Sequence, residues 1–342
     1  MKEVTIIGVD LAKRVFQVHG AASDGSVVFR KRLSRAQLSV FLARQPACTV
    51  AMEACATAHY WGREITKLGH AVRLIPPIYV KPFVKRQKND AADAEAITEA
   101  ATRSSMRFVT VKTEDQQARA MIFRSRDLLI RQRTQLINAL RGHLAEFGVI
   151  AAQGIAHIRR LRDAISDPQT GLPLIVRDIG QIYLDQIAVC SAKIVELEKA
   201  LRTEAKRGDT TARLQTMPGI GPIGAMAIEA FAPPMECFRR GRDFSAWLGL
   251  VPRQKSTGGK QILGKTTKMG QRDIRRLLII GAMAVVRWAV RKGAPERSWL
   301  ARMLARKPRM VVAIALANKM ARSVWAMLIK QEDYRDPVSV VV

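Results

Sequence analysis

Short β-rich segments fill the first 75 residues of the chain and then stop, so one layered architecture cannot run its whole length. VTIIGV (4–9), VFQVHG (15–20) and SVVFR (26–30) are separated by charged or glycine-containing turns and predict an antiparallel meander. A helix near 35–45, a strand at CTVAME (48–53), a helix near 58–68 and a strand at AVRLI (71–75) follow, giving the order βββαβαβ and then helix. Three strands followed by βα units describe a mixed sheet flanked by helices, and acids at its strand ends are natural active-site positions.

From about 114 to 205 the β pattern gives way to apolar residues at heptad spacing. Ile122, Leu129 and Leu136 mark one arm, and Tyr183, Ile187, Cys190, Ile194, Leu197 and Leu201 a second, as in a coiled coil or helical hairpin. The rest, 206–335, reads as helical, with glycine-rich interruptions at TMPGIGPIGA (216–225) and STGG (256–259). The expected fold class is α/β plus α, in three parts: 1–112, 113–206 and 207–342. The apolar helices 273–291 and 311–329 are expected to bury Trp288, Trp299 and Trp325 in a core.

The 57 Lys and Arg against 29 Asp and Glu, a formal charge of +28 spread along the chain, point to a polyanionic partner. On the first arm Arg124, Arg126, Arg131, Arg133 and Arg141 suit either a phosphate backbone or a solvated helix face. Cys48, Cys55, Cys190 and Cys237 never form a close pair and the five histidines lack ligand spacing, so neither disulfides nor zinc are expected. The longest apolar run, Leu277 to Val286, is too short for a bilayer, so no membrane partner and a cytoplasmic setting are expected.

Asp10 ends the first strand in IIGVDLAK, and Glu53 ends TVAME in the same way; if those strands are neighbours, the carboxylates converge. Asp90 and Asp93 in KNDAADAEA are three apart at the start of a helix, share a face and could close the same cluster. Oxygen-only ligands favour Mg²⁺, with Mn²⁺ as the substitute, and a pair of such ions suits phosphodiester chemistry. Taken singly, each acid also suits a cap or a surface position; Glu95 and Glu99 are read as structural.

PGIGPIGAMAI (218–228) matches the helix-hairpin-helix pattern, in which a glycine-rich turn at Gly219 and Gly221 brings backbone N–H groups to a DNA phosphate; a plain helix–helix turn is the alternative. Further on, Arg253, Lys255 and Lys260 surround Ser256 and Thr257. That segment suits a flexible phosphate-binding loop, or a hydroxyl nucleophile with cations beside it.

IGVDLAK (7–13), MEACATAHYW (52–61), KNDAADAEAI (88–97), PGIG (218–221) and LGLVPRQKSTGGK (248–260), in this order, resemble the DEDD-type insertion-sequence transposases of the IS110 family, above all its IS1111 subgroup. The resemblance implies a RuvC-like (RNase H-like) N-terminal domain, a coiled-coil insertion and a C-terminal transposase domain that supplies a serine nucleophile. It places the acid tetrad on Asp10, Glu53, Asp90 and Asp93, and the serine on Ser256, with Thr257 as the alternative. It further implies a structured non-coding guide RNA (a bridge RNA) that pairs with donor and target DNA, a homodimer or homotetramer, and a bacterial cytoplasmic setting at the nucleoid. The rival readings are a Mg-dependent junction resolvase or nuclease that hydrolyses DNA without a covalent intermediate, a non-catalytic nucleic-acid scaffold, and an inactive relic of a mobile element.

Overall fold

The structure is a computed structural model that describes residues 3–84, 90–296 and 298–336, with the backbone alone at residue 90. The chain divides into two compact units, one ending at Glu114 and the other beginning at Asp115.

The first unit is built on a five-stranded sheet of order β3-β2-β1-β4-β5. Strands β1 (Ile6–Asp10), β2 (Val15–Ala21) and β3 (Val27–Ser34) form the expected antiparallel meander. Ser34 and Gln37 form a capping box that starts α1 (Arg35–Ala43). Strand β4 (Thr49–Glu53) returns parallel to β1, α2 (Ala58–Lys67) follows, and β5 (Ala71–Ile75) pairs parallel with β4. One turn of helix, α3 (Pro77–Val80), then precedes α4 (Asp90–Thr102).

Alternation along the strands sorts the core into two layers. Ile7, Val9, Phe16, Val18, Val50, Met52 and Leu74 meet Leu38, Leu42, Trp61 and Ile65 of α1 and α2. Ile6, Ala51 and Ile75 meet Ala96, Ile97, Ala100 and Ala101 of α4 on the other face.

The second unit opens on two long helices, α5 (Glu114–Ala145) and, after the short α6 (Ile158–Ser166), α7 (Leu174–Glu204). Arg126 meets Glu198, Arg133 meets Ser191 and His143 meets Tyr183, so the pair is antiparallel. Of the heptad residues, Ile187, Cys190, Ile194 and Leu201 are buried. At the far end, Ile137, Leu140, Leu144, Leu161, Ile165, Leu184 and Ile187 make a separate small core with α6.

The remaining helices are α8 (Asp209–Gln215), α9 (Pro222–Phe231), α10 (Gly241–Trp247), α11 (Arg272–Lys292), α12 (Trp299–Leu304) and α13 (Arg309–Lys330). Their core also takes in Ala120, Phe123 and Leu201 from the bases of α5 and α7. This region is not all helical as the sequence suggests: β6 (Pro252–Gln254) and β7 (Leu263–Thr266) form an antiparallel hairpin between α10 and α11.

One further expectation is corrected. Trp288 is 57% exposed on the outer side of α11, whereas Trp325 is half-buried and donates its indole N–H to the Met235 and Phe238 carbonyls. The apolar run at 277–286 is too short for a bilayer, as expected; α13 is long and apolar enough by length and composition to cross one. Val312, Ala313, Ala317, Met320, Ala321 and Val324 of α13 are buried in the helical core, which accounts for its composition.

Candidate active site

Asp10 and Glu53 are the last residues of adjacent parallel strands, one step beyond the Val9–Met52 pair, and both belong to the sheet face that α4 covers. What brings α4 to that edge is Gly8. A Cβ there would sit 2.2 Å from Thr98 Oγ1 and 2.5 Å from the Ala94 carbonyl, so only glycine admits the helix this close. Asp93, on the turn before Ala94, thereby comes near the strand ends.

The neighbouring acids are felt at the strand ends. Burial pushes the Glu53 carboxyl above the usual carboxylate range, the Asp93 charge pushes it further, and Lys81 partly offsets both. Burial likewise raises the Cys55 thiol, with Glu53 and Asp10 adding to it. The loop that carries Cys55 is tight: Cys55 N–H donates to the Glu53 carbonyl at 2.8 Å, and Thr57 adopts a left-handed φ of 72° before α2. The backbone of Asp90 opens α4, but its side chain lies outside the described residues.

Among the described residues, three or more His, Cys, Asp or Glu side chains do not gather closely enough to hold a metal ion. The donors nonetheless suit a hard cation: Asp10, Glu53 and Asp93 offer only oxygen, and a positive ion would relieve the repulsion that Glu53 feels.

Ser256 and Thr257 lie on the exposed β6–β7 hairpin. Thr257 and Lys260 exchange both backbone hydrogen bonds, at 3.3 and 3.0 Å, around Gly258 and Gly259, whose φ values are 53° and 75°. That is the geometry of a two-residue type I′ turn, which favours Gly-Gly, so the glycines close a hairpin and do not merely loosen a loop. Arg253, Lys255 and Lys260 are all exposed on it.

The root of the hairpin is fastened to the helical core. Gly270 has a φ of 81°, and a Cβ there would lie 1.8 Å from the Trp247 carbonyl; one at Gly249 would lie 2.0 Å from the Met269 carbonyl. Arg275 donates to both the Leu248 and Met269 carbonyls, at 2.8 and 3.1 Å, and so ties the two legs together. Asn318 donates to the Leu250 carbonyl at 3.1 Å.

The PGIG turn joins α8 to α9. Gly219, at φ 91°, packs against Gly281 of α11: a Cβ on Gly281 would stand 1.9 Å from the Gly219 carbonyl. Its glycine therefore serves internal packing, whereas a Cβ on Gly221 would meet open space. On α5, Arg124 and Arg131 are exposed, Arg126 is paired with Glu198 and Arg133 bonds Ser191.

Sequence reasoning missed Lys81, Arg275 and the paired glycines 249 and 270. Glycine spacing alone does not reveal which backbone each one approaches, and Lys81 is close to Glu53 only through the sheet order. The Gly258-Gly259 pair between polar, strand-forming flanks was the available sign of the hairpin.

The comparisons with known proteins agree with this architecture. Residues 7–148 match a family described as a transposase of the DEDD, IS110 type, and residues 211–296 match the family described as the transposase IS116/IS110/IS902 family. The chain is 48% identical over 331 residues to a probable family 20 transposase of Pseudomonas aeruginosa, covering 96% of this chain and 98% of that one. It is 42% identical to the transposase for insertion sequence element IS1328 of Yersinia enterocolitica, covering 96% of this chain and 97% of that one. It is 39% identical to the transposase for IS1111A of Coxiella burnetii, covering 98% of this chain and 92% of that one. With a mixed sheet that ends adjacent strands on Asp10 and Glu53, a basic helical second unit and near full-length likeness to these relatives, this chain belongs to the IS116/IS110/IS902 family of insertion-sequence transposases.

Proposed function

We propose that this DNA transposase cuts and rejoins DNA through a serine-linked intermediate, with Asp10, Glu53, Asp90 and Asp93 as the acid tetrad of a RuvC-like domain and Ser256 as the nucleophile. The observation that carries the reading is that Asp10 and Glu53 end adjacent parallel strands, with the Asp93 charge on α4 acting on Glu53, whose carboxyl is held above its ordinary range by burial and by Asp93. Acids placed so that they repel one another cost stability, and a site for a cation repays that cost.

The tetrad would hold Mg²⁺, or Mn²⁺ in its stead, which supplies Lewis-acid stabilisation of charge on a phosphate when bound. The chain's own part is nucleophilic. Ser256 Oγ loses its proton and forms a bond to phosphorus, the bond from phosphorus to the 3′ oxygen breaks, and that oxygen takes up a proton. The product is a 5′-phosphoserine and a free 3′ hydroxyl, and the reverse step on a second DNA end restores the serine. Arg253, Lys255 and Lys260 supply exposed cations on the same hairpin for phosphates that flank the scissile one.

The net charge of +28 supports a protein that holds several polyanions at once, here donor DNA, target DNA and a structured guide RNA. Arg124 and Arg131 on α5 and the PGIG turn, as a helix-hairpin-helix at Gly221, are the further phosphate contacts. The antiparallel α5–α7 arm serves as the assembly element of a homodimer or homotetramer acting on the bacterial nucleoid.

The test is to incubate the protein with its element's RNA, labelled donor and target DNA and Mg²⁺, and to look for a protease-sensitive protein–DNA adduct. Wild type forms it, and Ser256→Ala and Asp10→Ala do not. An adduct that survives Ser256→Ala moves the nucleophile to Thr257. Cleaved ends with no adduct in wild type make the enzyme a hydrolytic nuclease.

A further inference from the structure

The register of the β6–β7 hairpin separates its residues onto two faces. Gln254 pairs with Leu263, Lys255 N–H donates to the Ile262 carbonyl at 2.8 Å, and Thr257 pairs with Lys260. Each pairing follows the same unbroken antiparallel count, which sets Ser256 opposite Gln261. Residues that face each other across such a ribbon project from the same face, and neighbours along a strand project from opposite faces. Thr257, Lys260, Lys255, Ile262 and Arg253 therefore share one face. Ser256 and Gln261 share the other with Gln254 and Leu263. Gly264 confirms the division: a Cβ there would stand 3.7 Å from Arg253 Cβ and 3.9 Å from Lys255 Cε, on the cationic side.

The two kinds of antiparallel pair alternate. Thr257–Lys260 is the hydrogen-bonded kind, since each donates to the other, so Ser256–Gln261 is the non-hydrogen-bonded kind, in which side chains stand closest. Both residues are exposed, and the Gln261 carboxamide is the polar group that the register sets beside the Ser256 hydroxyl.

Building on the reading of Ser256 as nucleophile, we infer that Gln261 is a catalytic residue of strand transfer, its amide N–H₂ donating to a non-bridging oxygen of the phosphate that Ser256 attacks. A neutral carboxamide on the hairpin is suited to this. It donates to the charge that grows on phosphorus without forming a salt link that would hold the ground state equally well. The lysines and arginine of the reverse face are left to contact phosphates away from the scissile one. The same division distinguishes the two hydroxyls, because Thr257 has Lys260 opposite it and not Gln261.

The experiment measures adduct formation in single turnover by the full chain with RNA, DNA and Mg²⁺, for wild type, Gln261→Ala, Gln261→Glu, Lys260→Ala and Ser256→Ala. Substrates carry a normal phosphate or an Rp or Sp phosphorothioate at the cut. Loss of one preorganised donor slows Gln261→Ala on the order of 10²-fold. Gln261→Glu, which keeps the shape of the side chain but sets a carboxylate against the phosphate, is slower still, and the preference between the thio diastereomers shrinks in Gln261→Ala. Glu restoring the wild-type rate, or an unchanged thio preference in Gln261→Ala, overturns the inference and makes Gln261 a structural member of the hairpin. A larger loss in Lys260→Ala than in Gln261→Ala overturns it too, in favour of the cationic face. An adduct retained by Ser256→Ala fails the underlying reading instead, so the two failures are distinguishable.

Discussion

Glycine at position 8 and glutamate at position 53 show how single residues set the site. Alanine at Gly8 meets the Ala94 carbonyl at 2.5 Å as well as the Thr98 hydroxyl, and the backbone contact cannot be relieved by a rotamer change. Gly8→Ala should cost about 1–3 kcal/mol or more in unfolding of the first unit and should abolish adduct formation, because α4 carries Asp93 away from the strand ends. Thermal melts and the adduct assay check both. Glu53 works in the opposite sense. Its carboxyl is raised in the folded protein, so ionising it opposes folding: its contribution is full below the ordinary carboxylate range and is lost as pH rises through the raised value. Glu53→Gln should therefore raise the melting temperature without Mg²⁺. It should also remove most of the gain that Mg²⁺ gives wild type, a gain of about 2.7 kcal/mol at one hundred times the dissociation constant. A wild-type melt indifferent to Mg²⁺ would contradict the metal reading of the tetrad.

Elements were legible in the sequence wherever one period governed them. The meander, the βα units and both long helices follow from alternation or heptads, and the strand-end positions of Asp10 and Glu53 came with them. The hairpin carries no such period, because its strands are short and polar and their pairing depends on Gly258 and Gly259 taking positive φ. Trp288 was misplaced for a related reason: α11 is apolar on a broad face, and periodicity does not say where burial ends. Arg275 was invisible because its partners are carbonyls, which have no sequence signature. Arg275→Met removes two charge-assisted bonds worth roughly 1.5–3 kcal/mol each at most, and should leave the helical core folded while the hairpin root loosens. Faster hydrogen exchange at the Lys255, Thr257 and Lys260 amides, with unchanged exchange in α13, is the expected pattern. The link between α5 and α11 responds to pH instead. Burial alone would raise the Asp127 carboxyl, but the Arg276 hydrogen bond and the charges of Arg276, Arg131 and Arg272 outweigh it and hold the carboxyl below its usual range. Its stabilisation is present above the ordinary carboxylate range and is lost as pH falls through the depressed value. The melting difference between wild type and Asp127→Asn should accordingly be full at pH 6 and shrink below about pH 4.

For the whole molecule, 57 cationic side chains against 29 acids mean that binding energy comes largely from displaced counterions, and the excess should be visible as a steep salt dependence. The structure says which cations are free to contribute on the arm. Arg126 is 16% exposed and paired with Glu198, which is 21% exposed, so its charge is neutralised within the protein; Arg124 and Arg131 are exposed, although Arg131 also stands 3.7 Å from Asp127. If α5 lies along a phosphate backbone, each contributing arginine accounts for a slope of about 0.9 in log K against log salt on duplex DNA. Arg124→Gln with Arg131→Gln should then flatten the slope by nearly 2 while leaving the melting temperature within about a degree or two. Arg126→Gln should do the reverse, leaving the slope unchanged and lowering stability, because it leaves the half-buried Glu198 with only the more exposed Arg202, at 3.4 Å. An unchanged slope in the double variant would return α5 to a solvated helix face, and the phosphate contacts of the second unit would have to be sought on the hairpin.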